Sequence, residues 1–176
     1  MKFISKYAKS GHHRMHYLDN GIDNDFLTTL VYVPGALNYA EQAIDLLSRF
    51  KQRRSIALSL RGRGNSDAPA IGYALENHVE DITAVVENSN LKQYCLMAYS
   101  MGVPYAIKYT TGIKNVKGLI LCDYPAIYPS IPDSWPDRVL HDGFISKEKE
   151  HVVLGIQKES RQTELYFELS LLDIPV

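Results

Sequence analysis

Apolar positions along this chain mark out strands and helices in alternation. Residues 2–8 and 14–18 read as two short strands, with Ser10-Gly11 between them and Asp19-Asn20-Gly21 closing the second, which predicts an antiparallel opening pair. Leu27 to Val33 is β-branched and almost continuously apolar, the pattern of a central strand buried on both faces. Pro34-Gly35 stops it. Ala40, Ala43, Ile44, Leu47 and Phe50 then recur at helical spacing, predicting a helix over residues 39–50. Ser55 to Leu60 reads as a further strand, followed by a polar, glycine-rich loop over Arg61–Gly72. A helix over Leu75–Val86 carries Val79, Ile82, Val85 and Val86 on one side.

The stretch from Tyr94 to Tyr109 holds the strongest chemical signal. A short apolar strand runs into Ala98-Tyr99-Ser100-Met101-Gly102, and a helix follows over Val103–Tyr109. Strand, sharp turn with serine at its tip, helix: this is the layout of a nucleophile elbow, whose usual signature is G-x-S-x-G, here with alanine in the first position. Small residues are needed two before and two after the serine because strand and helix pass close together there. Val116–Cys122 is a further apolar strand. Beyond Asp123 the character changes. Residues 124–136 contain four of the eight prolines and the single tryptophan, and are expected to be irregular. Residues 145–172 suggest two helices hinged near Gly155 or Ser160, and residues 172–176 resemble the start of another strand.

Strands alternating with helices after an antiparallel start predict an α/β fold with a mostly parallel sheet. Ligands of such sheets sit at the carboxyl ends of the strands, where Pro34-Gly35-Ala36, the loop from Arg61 to Asp67, Ser100 and Asp123 would gather. Composition narrows the function classes. The 176 residues are 45% hydrophobic and 22% charged, enough apolar material for a core, and a formal net charge of −1 offers no electrostatic attraction for nucleic acid or an anionic membrane. No leader-like or membrane-spanning stretch is expected, and Cys95 and Cys122 read as small buried hydrophobes in a reducing cytoplasm. The expected partner is a small-molecule substrate.

Three motifs, V-P-G-A at Val33–Ala36, L-R-G-R-G-N-S-D at Leu60–Asp67 and A-Y-S-M-G at Ala98–Gly102, together resemble the α/β-hydrolase fold superfamily. Two departures stand out. Pro34-Gly35 occupies the place where relatives usually have His-Gly, and Ser59 the place where they often have an aspartate; neither touches the bond-making atoms. The resemblance implies a core over residues 1–123, a helical cap over 124–171 and the start of a further core strand over 172–176. It also implies Ser100 as nucleophile and the amides of Met101 and Ala36 as oxyanion donors, with no cofactor and no metal. The cap would shape the pocket with Tyr124, Tyr128, Trp135, Phe144, Tyr166 and Phe167. Arg61 and Arg63 read either as contacts to an anionic substrate or as solvated or internally paired residues, the second reading being favoured.

A serine hydroxyl needs a base, and the base needs orienting. In the superfamily the acid and then the histidine follow the serine along the chain. Here both are expected to fall beyond Val176, with the C-terminal strands missing. Asp123 sits at a strand end where some relatives place the acid; capping or pairing explains it equally well. Of the six histidines, His12, His13 and His16 lie in the opening hairpin, His78 on the helix before the serine, and His141 and His151 in the cap. The last two read as surface residues. On this reading the strand over residues 116–122 loses its outer neighbour, and an apolar edge strand invites pairing with another chain. The chain is therefore expected to be poorly stable, to self-associate as a homo-oligomer, or to associate with the missing C-terminal part; sedimentation showing a monodisperse, thermally robust monomer contradicts this.

Overall fold

The structure, a computed structural model, describes every residue except Asp25 and Phe144, so the expectation for Phe144 lies outside the described residues. Strands β1 (Ile4–Ser10) and β2 (His13–Asp19) pair antiparallel with Ser10 opposite His13. Only Gly11 and His12 remain for the turn, one residue later than the sequence suggests, and Gly11 takes the left-handed φ of +59° that a two-residue hairpin demands. β2 pairs antiparallel with β4 (Ser55–Leu58). From there the sheet is parallel: β4 against β3 (Thr29–Val33), β3 against β5 (Tyr94–Tyr99), and β5 against β6 (Val116–Cys122). The order is β1-β2-β4-β3-β5-β6. This is the α/β, mostly parallel sheet with an antiparallel N-terminal pair that the residue pattern predicts.

Alternation along β5 divides the core into two layers. Tyr94, Leu96 and Ala98 pack with residues of helices α2 (Leu75–Asn88) and α3 (Gly102–Thr110) on one face. Cys95 and Met97 point to the other, against Ala40, Ala43 and Leu47. Each fully buried aliphatic side chain, such as Leu96, Ile82 or Ile107, contributes about 1.5–3 kcal/mol by leaving water. Cys95 lies opposite Gly118 and Cys122 opposite Tyr99, so the two thiols are separated along the sheet; both are free and only partly buried.

The helix predicted over residues 39–50 is shorter. A 3₁₀ turn over Ala40–Ala43 leads into α1 (Ile44–Leu47), after which Arg49 and Phe50 bond back three residues to Leu46 and Leu47. The apolar spacing was sound, but the hydrogen bonding tightens to the i−3 pattern at both ends.

Past β6, the supposedly irregular stretch contains β7 (Ile127–Tyr128), paired with β8 (Thr163–Glu164), and ends in α4 (Trp135–His141). Helix α5 (Glu150–Glu159) runs straight through Gly155 and breaks at Ser160, where ψ opens to 132°. Glycine stands at 155 for packing: a Cβ there would lie 2.4 Å from the Tyr73 ring. Helix α6 (Tyr166–Ser170) follows. The terminal stretch is not a strand, though the Leu119 amide donates to the Pro175 carbonyl at 2.9 Å. Among the described residues no helix is long and apolar enough to cross a membrane.

Two of the histidines are sealed inside. His16 takes hydrogen bonds with the hydroxyls of Ser5 (2.7 Å) and Ser59 (3.3 Å), and burial pushes its pKa down despite Glu41 nearby. His78 is fully buried; burial first, and the Arg63 guanidinium second, hold it well below its ordinary 6.5. Depressed histidine pKa values mean that the unfolded chain binds more protons than the folded one in acid. Stability should therefore be flat above pH 6.5, the unperturbed value of both rings. Below it, each histidine should remove up to about 1.4 kcal/mol per pH unit. Urea midpoints measured from pH 8 to pH 5 check this, and a midpoint that rises on acidification refutes it.

Candidate active site

Ser100 stands between β5 and α3 with φ +50°. A non-glycine residue in the left-handed region costs about 1–3 kcal/mol, so the surroundings must impose it. They do so from three sides. The Ser100 amide donates to the Cys122 carbonyl at the end of β6 (2.9 Å), and its carbonyl accepts from the Val103 amide (2.8 Å), which starts the helix. On the third side the chain has no room. A Cβ on Gly102 would lie 2.5 Å from the Val33 carbonyl oxygen and 2.7 Å from that of Pro34. Glycine at 102 lets the start of α3 touch the end of β3, while alanine suffices at 98, which is buried in the strand.

The same contact brings the turn after β3 to the serine. A Cβ on Gly35 would come within 3.1 Å of Ser100 Cβ and 3.4 Å of the Tyr99 carbonyl. Ala36 follows directly, so its amide belongs to the turn lying against Ser100. Met101, 6% exposed, supplies the peptide at the start of α3, where helix amides have no internal acceptor. Asp123 is exposed at the end of β6, itself left-handed at φ +61°, one residue beyond the Cys122 carbonyl that holds the Ser100 amide. The structure therefore brings Ser100, Ala36, Met101 and Asp123 to one edge of the sheet.

No histidine joins them. Among the described residues none of the six bonds to Ser100: His16 meets Ser5 and Ser59, His78 Nδ1 meets the Ala74 carbonyl (2.7 Å), His141 faces Asp142 (3.2 Å) in solvent, and His151 reaches the Ala68 carbonyl (3.3 Å). His12 and His13 line a surface depression beside the hairpin with Lys9 and Glu80.

The arginines of the glycine-rich loop part ways. Arg61 is internally paired, its Nη2 2.7 Å from the Asp81 carboxylate and its Nε shared between both Asp81 oxygens. Arg63 is buried without a carboxylate partner: Nε donates to the Ala36 carbonyl (2.7 Å), and Nη1 to the Arg61 carbonyl (2.6 Å) and His78 Nε2 (2.9 Å). Sequence reasoning missed this network. Its signal was present in α2, where His78 and Asp81 share the apolar face with Ile82 and Val85.

A sequence profile described as the alpha/beta hydrolase fold matches residues 28–139. The chain belongs to the α/β-hydrolase fold family. Among relatives of this α/β-hydrolase chain, the AB hydrolase superfamily protein YisY of Bacillus subtilis (strain 168) is 39% identical over 56 residues, 32% of this chain and only 21% of YisY. MGS-M2, an α/β-hydrolase enzyme from a Medee basin deep-sea metagenome library, superposes with a TM-score of 0.81 at 12% identity, covering 96% of this chain and 76% of that one. The esterase EaEST from Exiguobacterium antarcticum gives 0.77 at 21% identity, covering 97% and 78%. At these identities the likeness is one of fold.

The crowding at Gly102 can be separated from backbone strain. Gly102→Ala must push a methyl into two carbonyl oxygens and is expected to cost about 2 kcal/mol or more. Gly112→Ala, at φ +80° with nothing within 4 Å, should cost only the left-handed penalty of about 1 kcal/mol. Paired melting curves decide it; equal losses would remove the close approach as the controlling feature.

Proposed function

We propose that this chain carries the nucleophile and oxyanion-binding part of a hydrolase that acts by acyl transfer on a small ester, thioester or amide. The observation behind the proposal is the left-handed Ser100 at a strand-to-helix turn, pressed against Gly35. In the proposed reaction Ser100 Oγ attacks the substrate carbonyl carbon and loses its proton to a base. The carbonyl oxygen takes the negative charge and is held by the amides of Met101 and Ala36, each worth about 3 kcal/mol in the transition state. Collapse expels the leaving group with the proton from the base, and water releases the acid by the reverse sequence.

The base of this reading is a histidine, in a place that none of the six described here fills, and Asp123, at the same edge of the sheet, is the candidate acid. Tyr124, Tyr128 and Trp135, carried by the segment that follows β6, would shape the pocket as a cap over residues 124–171. The absence of a histidine at Ser100 among the described residues supports a second reading, in which the chain is a catalytically incomplete fragment or relative serving as a binding or interaction module.

A fluorophosphonate probe and p-nitrophenyl acetate distinguish the two. The hydrolase reading expects covalent labelling that Ser100→Ala abolishes, with an acetyl burst where the histidine is supplied. Unlabelled Ser100 in folded protein, even where the histidine is supplied, leaves only the binding module.

A further inference from the structure

We propose that Arg63 is a positioning residue for the oxyanion hole, fixing the Ala36 turn against the start of α3. The inference rests on the reading of Ser100 as nucleophile. Arg63 is drawn inward by its neighbours: Gly62 and Gly64 both take left-handed φ, +80° and +50°, and a Cβ on either would strike Val152 or Ser59. The side chain that results is 2% exposed; it touches the Ala36 turn directly and reaches α3 through His78. Toward one half, Nε grips the Ala36 carbonyl at 2.7 Å. Toward the other, Nη1 meets His78, whose ring stacks on Tyr105 of α3 with centroids 4.5 Å apart and planes 3° from parallel.

The protonation states along this path are forced. The Ala74 carbonyl can only accept from His78 Nδ1 (2.7 Å), and a guanidinium can only donate, so His78 is neutral with its proton on Nδ1. A protonated His78 would break the link. The charge balance points the same way. Arg61 takes Asp81, and Glu80 at the surface; Arg63 takes only carbonyls and an imidazole. A buried guanidinium without a counterion is costly unless it serves something negative, and a positive charge directly behind the Ala36 turn favours an oxyanion in front of it. Nη2 and the hydroxyls of Tyr105 and Tyr128 have no protein partner among the described residues.

Saturation kinetics of fluorophosphonate labelling, with amide hydrogen exchange at residues 35–37, test the assignment. Arg63→Met should lower the maximal labelling rate by about 10- to 100-fold with little change in the probe's half-saturation. It should also speed exchange at the Ala36 turn. Arg63→Lys keeps the charge but gathers its donors on one atom in place of the planar fork that spans Ala36, Arg61 and His78; it should lose roughly tenfold, and it carries the test if the methionine variant fails to fold. Tyr109→Phe, which removes a buried hydroxyl of the same helix α3, bonded to Tyr94, without touching Ala36, should leave the rate unchanged. Unchanged exchange in the folded Arg63 variants, or labelling as fast as wild type, overturns the proposal. A wild-type protein that resists the probe while its exchange responds to Arg63 retires the Ser100 reading instead.

Discussion

The start of α3 rests directly on the carbonyls that end β3, and the geometry of the candidate site follows from that one contact. Backbone touches backbone because residue 102 has no side chain. With the helix held there, Ser100 has to turn through a left-handed conformation to connect it to β5. The turn after β3 is pinned by the same approach, so Gly35 meets Ser100. A distance between two backbones therefore sets the relation between a side chain and two peptide groups contributed by different elements.

Behind this contact lies a polar layer that is unusual for the inside of a sheet-and-helix sandwich. Arg61, Arg63, His78 and Asp81 are all buried, at 4% exposure or less. Their hydrogen bonds join the loop after β4, helix α2 and the turn after β3. Buried hydrogen-bonded networks of this kind favour one arrangement of their members, since a shift strands a further charge or donor. The rigidity that a strained serine needs is thus supplied partly by electrostatics and not by apolar packing alone.

Much of the fold was legible because it depends on short-range rules. Short apolar runs bounded by turn residues located every strand of the main sheet, helical apolar spacing located α2, and the small residues around Ser100 located the turn into α3. The misses have physical causes. The i−3 hydrogen bonding around α1 leaves the apolar spacing intact, so residues 39–50 read as a longer helix. Gly155 looked like a hinge because its reason for being glycine, the Tyr73 ring, is over eighty positions away in sequence. β7 and β8 are two residues each and carry no periodicity. At the site, the positions of Ser100, Ala36 and Met101 followed from local motifs. The path from Arg63 through His78 to Tyr105 did not, because it exists only once three distant segments have packed.

Helix α5 is seated on the arginine loop by two mutual exclusions and two anchors. Gly62 makes room for Val152, and Gly155 for Tyr73; the Glu159 carboxylate takes the amides of Gly72 and Tyr73, and Lys149 caps the Gly64 carbonyl. Loop and helix are therefore a single interlocking part. Exchanging the stretch after β6 with that of another family member would transplant a key without its lock unless residues 61–73 travelled with it.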